Sequence, residues 1–163
     1  ELGIPHLAIR PDRIVDVLDG IHLLGVVTGR EEAAATLTEA IRDTLDAVRM
    51  RSADKAAVRV AYVLGGTPPW VAGPDTYIDD LIRLAGGINV FADLGQLYGA
   101  VSPEEFVVRD IDVVMTPRGS RFERRLAPAA RFVEAGPALE LPGPGVTDAA
   151  REVERALHPG GGA

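Results

Sequence analysis

The sequence contains no cysteine. That absence excludes disulfides, thiolate metal ligands and a cysteine nucleophile together, and it removes any redox clue to compartment. Aromatic residues make up only 5% of the chain, and there is a single tryptophan, Trp70. No apolar run reaches the roughly 18 to 20 residues that a membrane-crossing helix needs. Positive charge is also short. Seventeen Lys and Arg face 24 Asp and Glu, for a net charge of -7, which argues against the basic face used in nonspecific nucleic-acid binding. The three histidines, His6, His22 and His158, are scattered, and each reads as a satisfied or solvent-facing side chain. No metal site is expected. The chain opens on Glu1 without a secretory leader, so the expectation is that something upstream has been removed. The ending "HPGGGA" reads as a frayed tail.

What is present suffices for a core: 47% of the 163 residues are apolar, the size and composition of one ordinary domain or a piece of a larger one. "GIPHLAI" (3–9) reads as a buried strand. "PDRIVDVLDGIHLLG" (11–25) reads as a short helical segment broken near Gly20. Thr28 and Glu31 have capping-box spacing. The 21 residues 31–51 contain neither Gly nor Pro, and Leu37, Ile41, Leu45 and Val48 fall on one helical face. Such a helix is about 30 Å long. "VRVAYVL" (58–64), "IDVVMT" (111–116) and "RFVEA" (131–135) read as strands, the first like one buried on both faces of a parallel sheet. "DTYIDDLIRLAGG" reads as a helix with Asp75 as N-cap and Ile78, Leu81, Ile82 and Ala85 inward, stopped by Gly86-Gly87. Ser102, Pro103 and Glu105 fit N-cap, N1 and N3 of another. "TDAAREVERALHP" (147–159) is a last helix, with Thr147 as cap and Ala150, Val153 and Leu157 inward. Strands alternating with helices predict an α/β fold, three layers with a mainly parallel sheet. Ligands then bind beyond the carboxyl ends of the strands, in loops 65–74 and 117–121.

Catalytic constellations are not found. "VLGGTPPWVAG" is neither a dinucleotide fingerprint nor a phosphate loop, and Pro68 and Pro69 lack the amides that cradle phosphate. There is no nucleophile elbow. Asp79-Asp80 reads as a solvated helix face. "TPRGSRFERR" (116–125) holds four arginines in ten residues; the plain reading is a wet short helix, the sharper one an anion grip at a strand end.

The stretches "RVAYVLGGTPPWVAGPDTYIDDLIRLAGGINVFAD" (59–93) and "YGAVSPEEFVVRDIDVVMT" (98–116) resemble the C-terminal lobe of class III periplasmic substrate-binding proteins. These serve ABC importers of ferric siderophores, haem and vitamin B12. The closing "GPGVTDAAREVERALHP" is similar to the family's final helix. Ile111 stands where many members have proline, and the likeness is looser over 117–145. The resemblance implies two α/β lobes joined by one rigid helix. Residues 1–27 are then the remnant of an N-terminal lobe, 28–52 the long connecting helix, 53–159 the C-terminal lobe and 160–163 a flexible tail. Most of the N-terminal lobe is absent, which invites self-association or swapping.

The same resemblance implies the site residues. Trp70 lines the cleft, Tyr98 faces the ligand, Arg118 meets ligand carboxylates or phosphate, and Glu104 docks on arginines of a membrane permease. The implied ligand is a ferric siderophore, haem or cobalamin, with no cofactor and no catalysis. The implied location is periplasmic, or extracellular and membrane-anchored. Each residue also has a plainer role: Trp70 as core anchor, Glu104 as an acid favoured in a first helical turn, Tyr77 as packing. Rival functions are a nucleotide-dependent α/β enzyme domain using loop 65–74, or an interaction module without transport.

Overall fold

The computed structural model describes residues 7–160. His6 and the first part of the expected 3–9 strand lie outside the described residues, and Leu7 to Ile9 are irregular and exposed.

Helix α1 (Ile14–Thr28) runs straight through Gly20. The glycine does not break the helix; Ile9 packs on the face where a side chain would project. Gly25 serves the same end at the crossing with the next helix, because a Cβ there would collide with Ala34. The helix stops at Gly29, whose φ of 65° is left-handed, and the Arg30 N–H returns 2.7 Å to the Gly25 carbonyl. Thr28 is therefore the last residue of α1 and no cap of the following helix. Its hydroxyl donates to the Leu24 carbonyl at 2.6 Å.

Helix α2 (Glu31–Ser52) starts from Arg30, which makes no side-chain cap bond. Ile41, Leu45 and Val48 are buried as the periodicity predicts. Leu37 is exposed instead, and Thr38 takes the inward position, its hydroxyl satisfied by the Ala34 carbonyl at 3.0 Å. Helix α2 packs on α1, α3 and α5, as a member of the helical layer.

The sheet is built around β1 (Val58–Gly65). One edge of β1 pairs in parallel with β5 (Val113–Pro117), which pairs in parallel with β6 (Arg131–Ala135). The other edge is shared. Val58 to Val60 pair in parallel with β3 (Gly87–Asn89), and Val63 and Gly65 pair antiparallel with β2 (Trp70–Ala72). β2 pairs antiparallel with β4 (Tyr98–Ala100). Residues 70–72 of the expected loop 65–74 are thus a strand. Val60 and Tyr62 face one core with α1, α2, α3 (Tyr77–Leu84) and α5 (Val146–Leu157). Ala61 and Val63 face the other, beneath α4 (Pro103–Val108), where Phe91, Phe106, Phe122 and Phe132 stack in series with centroids 4.9–6.1 Å apart.

Capping departs from the sequence reading in two further places. Thr76, not Asp75, caps α3, its hydroxyl accepting from the Asp79 N–H at 3.0 Å. Asp75 has φ 55° and reaches Arg13 at 3.1 Å. Gly145 precedes α5, so Thr147 lies inside it. Nor do Asp79 and Asp80 solvate a face. Asp80 takes Arg13 at 2.7 Å and the Ile14 N–H at 3.0 Å, pinning the start of α1 to α3. Asp79 is buried.

Asn89 joins these parts. Its Nδ2 lies 3.2 Å from the Ala72 carbonyl, 3.1 Å from that of Gly73 and 3.0 Å from Asp79 Oδ1. Its Oδ1 accepts from the Phe91 N–H at 3.1 Å. The Thr76 hydroxyl donates to Gly73 at 3.1 Å. Gly73 must be glycine here, since a Cβ would strike the Gln96 carbonyl. Asn89→Ala strands the buried Asp79 carboxylate and takes one donor from each of the Ala72 and Gly73 carbonyls, at about 1–3 kcal/mol for a buried group left unpaired. Chemical denaturation should show a loss of about 3 kcal/mol, with a shifted Trp70 emission; a change under about 1 kcal/mol would refute the role.

The helical layer is clamped by Arg51 of α2 and the buried Glu154 of α5, a two-pronged pair at 2.9 and 2.7 Å. The Arg51 guanidinium holds the Glu154 carboxyl below its ordinary 4.5. Its stabilisation is therefore present above pH 4.5 and lost as pH falls through the lower folded value. Glu154→Gln should lower the melting temperature at neutral pH by about 2–4 °C per kcal/mol lost. The gap to the native chain should close in acid, and a gap constant with pH would exclude the charge as its origin.

Candidate functional site

Register fixes which side chains meet. Trp70 pairs with Ala100 and Ala72 with Tyr98, so Trp70, Ala72, Tyr98 and Ala100 share one face of the sheet. Ala72 lies in the same core as Tyr62 and Met115, and Tyr98 packs against that core. Trp70 and Tyr98 therefore look out from the helical side of the sheet, beyond the carboxyl ends of β1 and β5.

Trp70 is 49% exposed, so it is no core anchor. It sits on a strand rather than at a loop tip, and the Pro69 carbonyl before it accepts from the Val101 N–H at 2.9 Å. The strand pairing holds the indole in place. Tyr98 is half-buried, and burial, with the Asp12 charge second, raises its hydroxyl above its ordinary value.

Beside Tyr98 lies a cavity of about 240 Å³, lined by all three tyrosines of the chain, with Leu64, Pro117 and Glu140 among its other walls. Tyr77 does pack near the start of α3 as the sequence suggests, donating to the Ala138 carbonyl at 3.2 Å. Tyr62 was not foreseen as a site residue. It is buried, and its hydroxyl has no hydrogen-bond partner among the described residues. Burial pushes it well above the usual tyrosine range, with Glu140 adding to the shift. The signal lay in "VRVAYVLGG": one tyrosine in the aliphatic stretch of the strand, two residues before Leu64 of the cavity wall.

Arg118 follows Pro117 of the cavity wall, exposed and without an ion pair among the described residues. The structure does not bring it into contact with Trp70 or Tyr98. Two other arginines of that run serve locally. Arg124 covers the Phe132 ring at 4.8 Å, and Arg125 pairs with Glu123 at 2.6 Å. The segment is a single 3-10 turn, Arg124–Leu126, after irregular chain.

Glu104 lies on the opposite layer, exposed in the first turn of α4. Its own backbone N–H, then the Ser102 hydroxyl, hold the carboxyl below its ordinary value. Glu105 does not form a capping box; it accepts from Arg109 Nε at 2.9 Å. Val107 and Val108, three and four residues beyond Glu104, are both more than 70% exposed, and Glu105 of the same short helix pairs with Arg109. His22 is exposed on α1, and His158 Nε2 lies 3.0 Å from the Ala85 carbonyl. Among the described residues no group of three or more His, Cys, Asp or Glu could hold a metal ion.

Comparison with known proteins gives these features a context. The family model described as "Periplasmic binding protein" matches residues 1–138. A cobalamin-binding protein of Halobacterium salinarum is 38% identical over 104 residues, 61% of this chain and 28% of that protein. A vitamin B12-binding protein of Vibrio cholerae is 26% identical over 101 residues, 62% of this chain and 37% of that protein. The chain thus spans well under half the length of these curated relatives. The crystal structure of a periplasmic vitamin B12 binding protein of Vibrio cholerae superposes with TM-score 0.80 at 22% identity, over 96% of this chain and 66% of that one. A possible iron-binding, periplasmic solute-binding protein of Staphylococcus epidermidis gives 0.84 at 18% identity, over 96% and 67%. The α/β fold with its mostly parallel sheet is the fold of these structures. The chain belongs to the periplasmic binding protein family, as its central motifs resemble.

Proposed function

We propose that this chain is the ligand-facing C-terminal lobe of a substrate-binding protein that captures a metal chelate, a corrinoid before a ferric siderophore or haem, and hands it to the permease of an ABC importer. One observation carries the reading: a half-exposed tryptophan and a half-buried tyrosine share one sheet face, beside an apolar cavity, beyond the carboxyl ends of parallel strands. Flat, largely apolar ligands stack on such a surface without any chemical step. Corrinoids come first because the named relatives are cobalamin- and vitamin B12-binding proteins. Arg118, unpaired beyond the cavity wall, is placed to meet acidic groups of a bound ligand from its rim.

A second lobe completes the cleft in this proposal. Its support is the apolar surface of α1, where Val15, Leu23, Leu24, Val26 and Val27 are exposed. That exposed surface fits residues 1–27 as the remnant of the second lobe, with the helix over 28–52 joining the two. The protein acts outside the cytoplasmic membrane; among the described residues no helix is long and apolar enough to cross one. Glu104, exposed on the same short helix as the exposed Val107 and Val108, supplies this lobe's contact with permease arginines. An exposed carboxylate gives register and encounter rate at such a contact.

Since Trp70 is the only tryptophan, its emission reports the cleft directly. In the full-length protein, cyanocobalamin should quench it with saturable dependence. Trp70→Ala should weaken binding about tenfold, an aromatic stacking contact plus its buried area. If cyanocobalamin, ferrichrome and haemin all leave the emission unchanged, the cleft assignment fails. Glu104→Arg should abolish association with the permease, measured on the reconstituted transporter, and leave the Trp70 titration as it was. Transport at the native rate in that variant would reject the docking role.

A further inference from the structure

The cavity beside Tyr98 has a chemistry of its own. Its walls are mostly apolar, and its one charged lining residue is Glu140. Tyr62 is 2% exposed, and its hydroxyl has no partner among the described residues. A buried hydroxyl without a partner is a poor end state for a polar group, so something that can bond to it is favoured there. Its neighbours restrict what that can be. Burial first, then the nearby Glu140, Tyr98 and Glu152, keep the Tyr62 hydroxyl protonated. It therefore offers a hydrogen. A carboxylate would take that hydrogen but meet the acidic surround with no cation on the cavity wall. An ammonium would suit Glu140, yet it must leave water for an apolar pocket and has no atom to accept from Tyr62. A carboxamide satisfies both ends: its carbonyl accepts from Tyr62, and its N–H groups point to Glu140.

We infer that the Tyr62 cavity is a subsite for a neutral carboxamide arm of the ligand, seated beside the stacking surface of Trp70 and Tyr98. The inference rests on the cleft reading above and sharpens it. Corrins carry carboxamide arms around the ring edge, whereas haem carries carboxylates, so the subsite selects the first class over the second. Trp70 and Tyr98 supply the flat contact and Tyr62 the anchoring bond.

Propionamide, propionate and propylamine, titrated into the chain and followed by NMR, test the subsite without any corrinoid. Propionamide should shift signals of Tyr62, Tyr98 and Leu139 with a millimolar dissociation constant, consistent with so few atoms. Propionate and propylamine should bind at least about tenfold more weakly. Tyr62→Phe, which keeps the ring and the packing, should weaken propionamide about five- to tenfold, the worth of one neutral hydrogen bond. Glu140→Gln should raise propionate affinity toward that of propionamide. Equal binding of propionate or propylamine, or no effect of Tyr62→Phe, overturns the proposal and leaves water as the partner of Tyr62. The cyanocobalamin quench of Trp70 separates the two readings. Amide selectivity without a quench keeps the subsite and discards the corrinoid; a quench that Tyr62→Phe leaves unaltered keeps the cleft and discards the subsite.

Discussion

The carboxamide of Asn89 is the bond on which the site depends. It stands where three pieces of backbone must end in one place: the last residue of β3, the exit of β2 and the first turn of α3. Its Nδ2 serves the carbonyls of Ala72 and Gly73 and the buried Asp79. Each of those groups is beyond the reach of water, so each needs a partner inside. Side-chain amides suit the task because one group donates and accepts at once. The consequence for function is direct. β2 is only three residues long and carries Trp70 at its start. A strand that short holds an exposed indole in one orientation only if its far end is fixed.

Alternation along the strands then divides the molecule into two working faces. Odd and even positions of β1 send Tyr62 to the helical side and Val63 to the phenylalanine side. The stacking surface and the tyrosine cavity follow the first, and α4 with Glu104 follows the second. A single register slip would exchange them. The split puts the face proposed for ligand capture and the one proposed for partner contact on opposite sides of a sheet, so in that proposal both can be occupied at once.

Much of this was legible in the sequence because periodicity and β-branched runs report burial. The strands at 58–64 and 131–135, the inward residues of α3 and α5, and Trp70 as an outward aromatic were all readable. The misses have common physical causes. Gly20 and Gly25 look like helix breakers, but each marks a close approach by Ile9 or Ala34 that only the tertiary packing reveals. The Thr28 and Glu31 pair has the spacing of a capping box, yet the stop at Gly29 came first and claimed Thr28 for the preceding helix. Asp79 and Asp80 look alike in sequence. One is buried on Asn89 and the other holds Arg13, a difference set by which face of α3 each occupies. β2 was hidden behind Pro68 and Pro69, since a three-residue strand gives no period to read. Tyr62 was passed over because a tyrosine in a strand is ordinary until its hydroxyl is seen to lack a partner.

The two faces are nonetheless not mechanically independent. Asn89 Oδ1 accepts from the Phe91 N–H, and the Phe91 ring packs edge-on to Phe106 of α4 at 5.2 Å. Arg109, just past α4, covers the same ring at 4.8 Å and pairs with Asp93 at 2.8 Å. Its guanidinium also donates to the Val90 carbonyl. The amide that fixes Trp70 through β2 therefore also fixes α4 through Phe91 and Arg109. Packed aromatics and two-pronged ion pairs do not flex by fractions of an ångström at low cost. The lobe moves as one body, and the position of Glu104 is tied to that of the ligand surface. If the chain captures a ligand as proposed, the signal of its capture then comes from how this body meets another one, not from a rearrangement inside it.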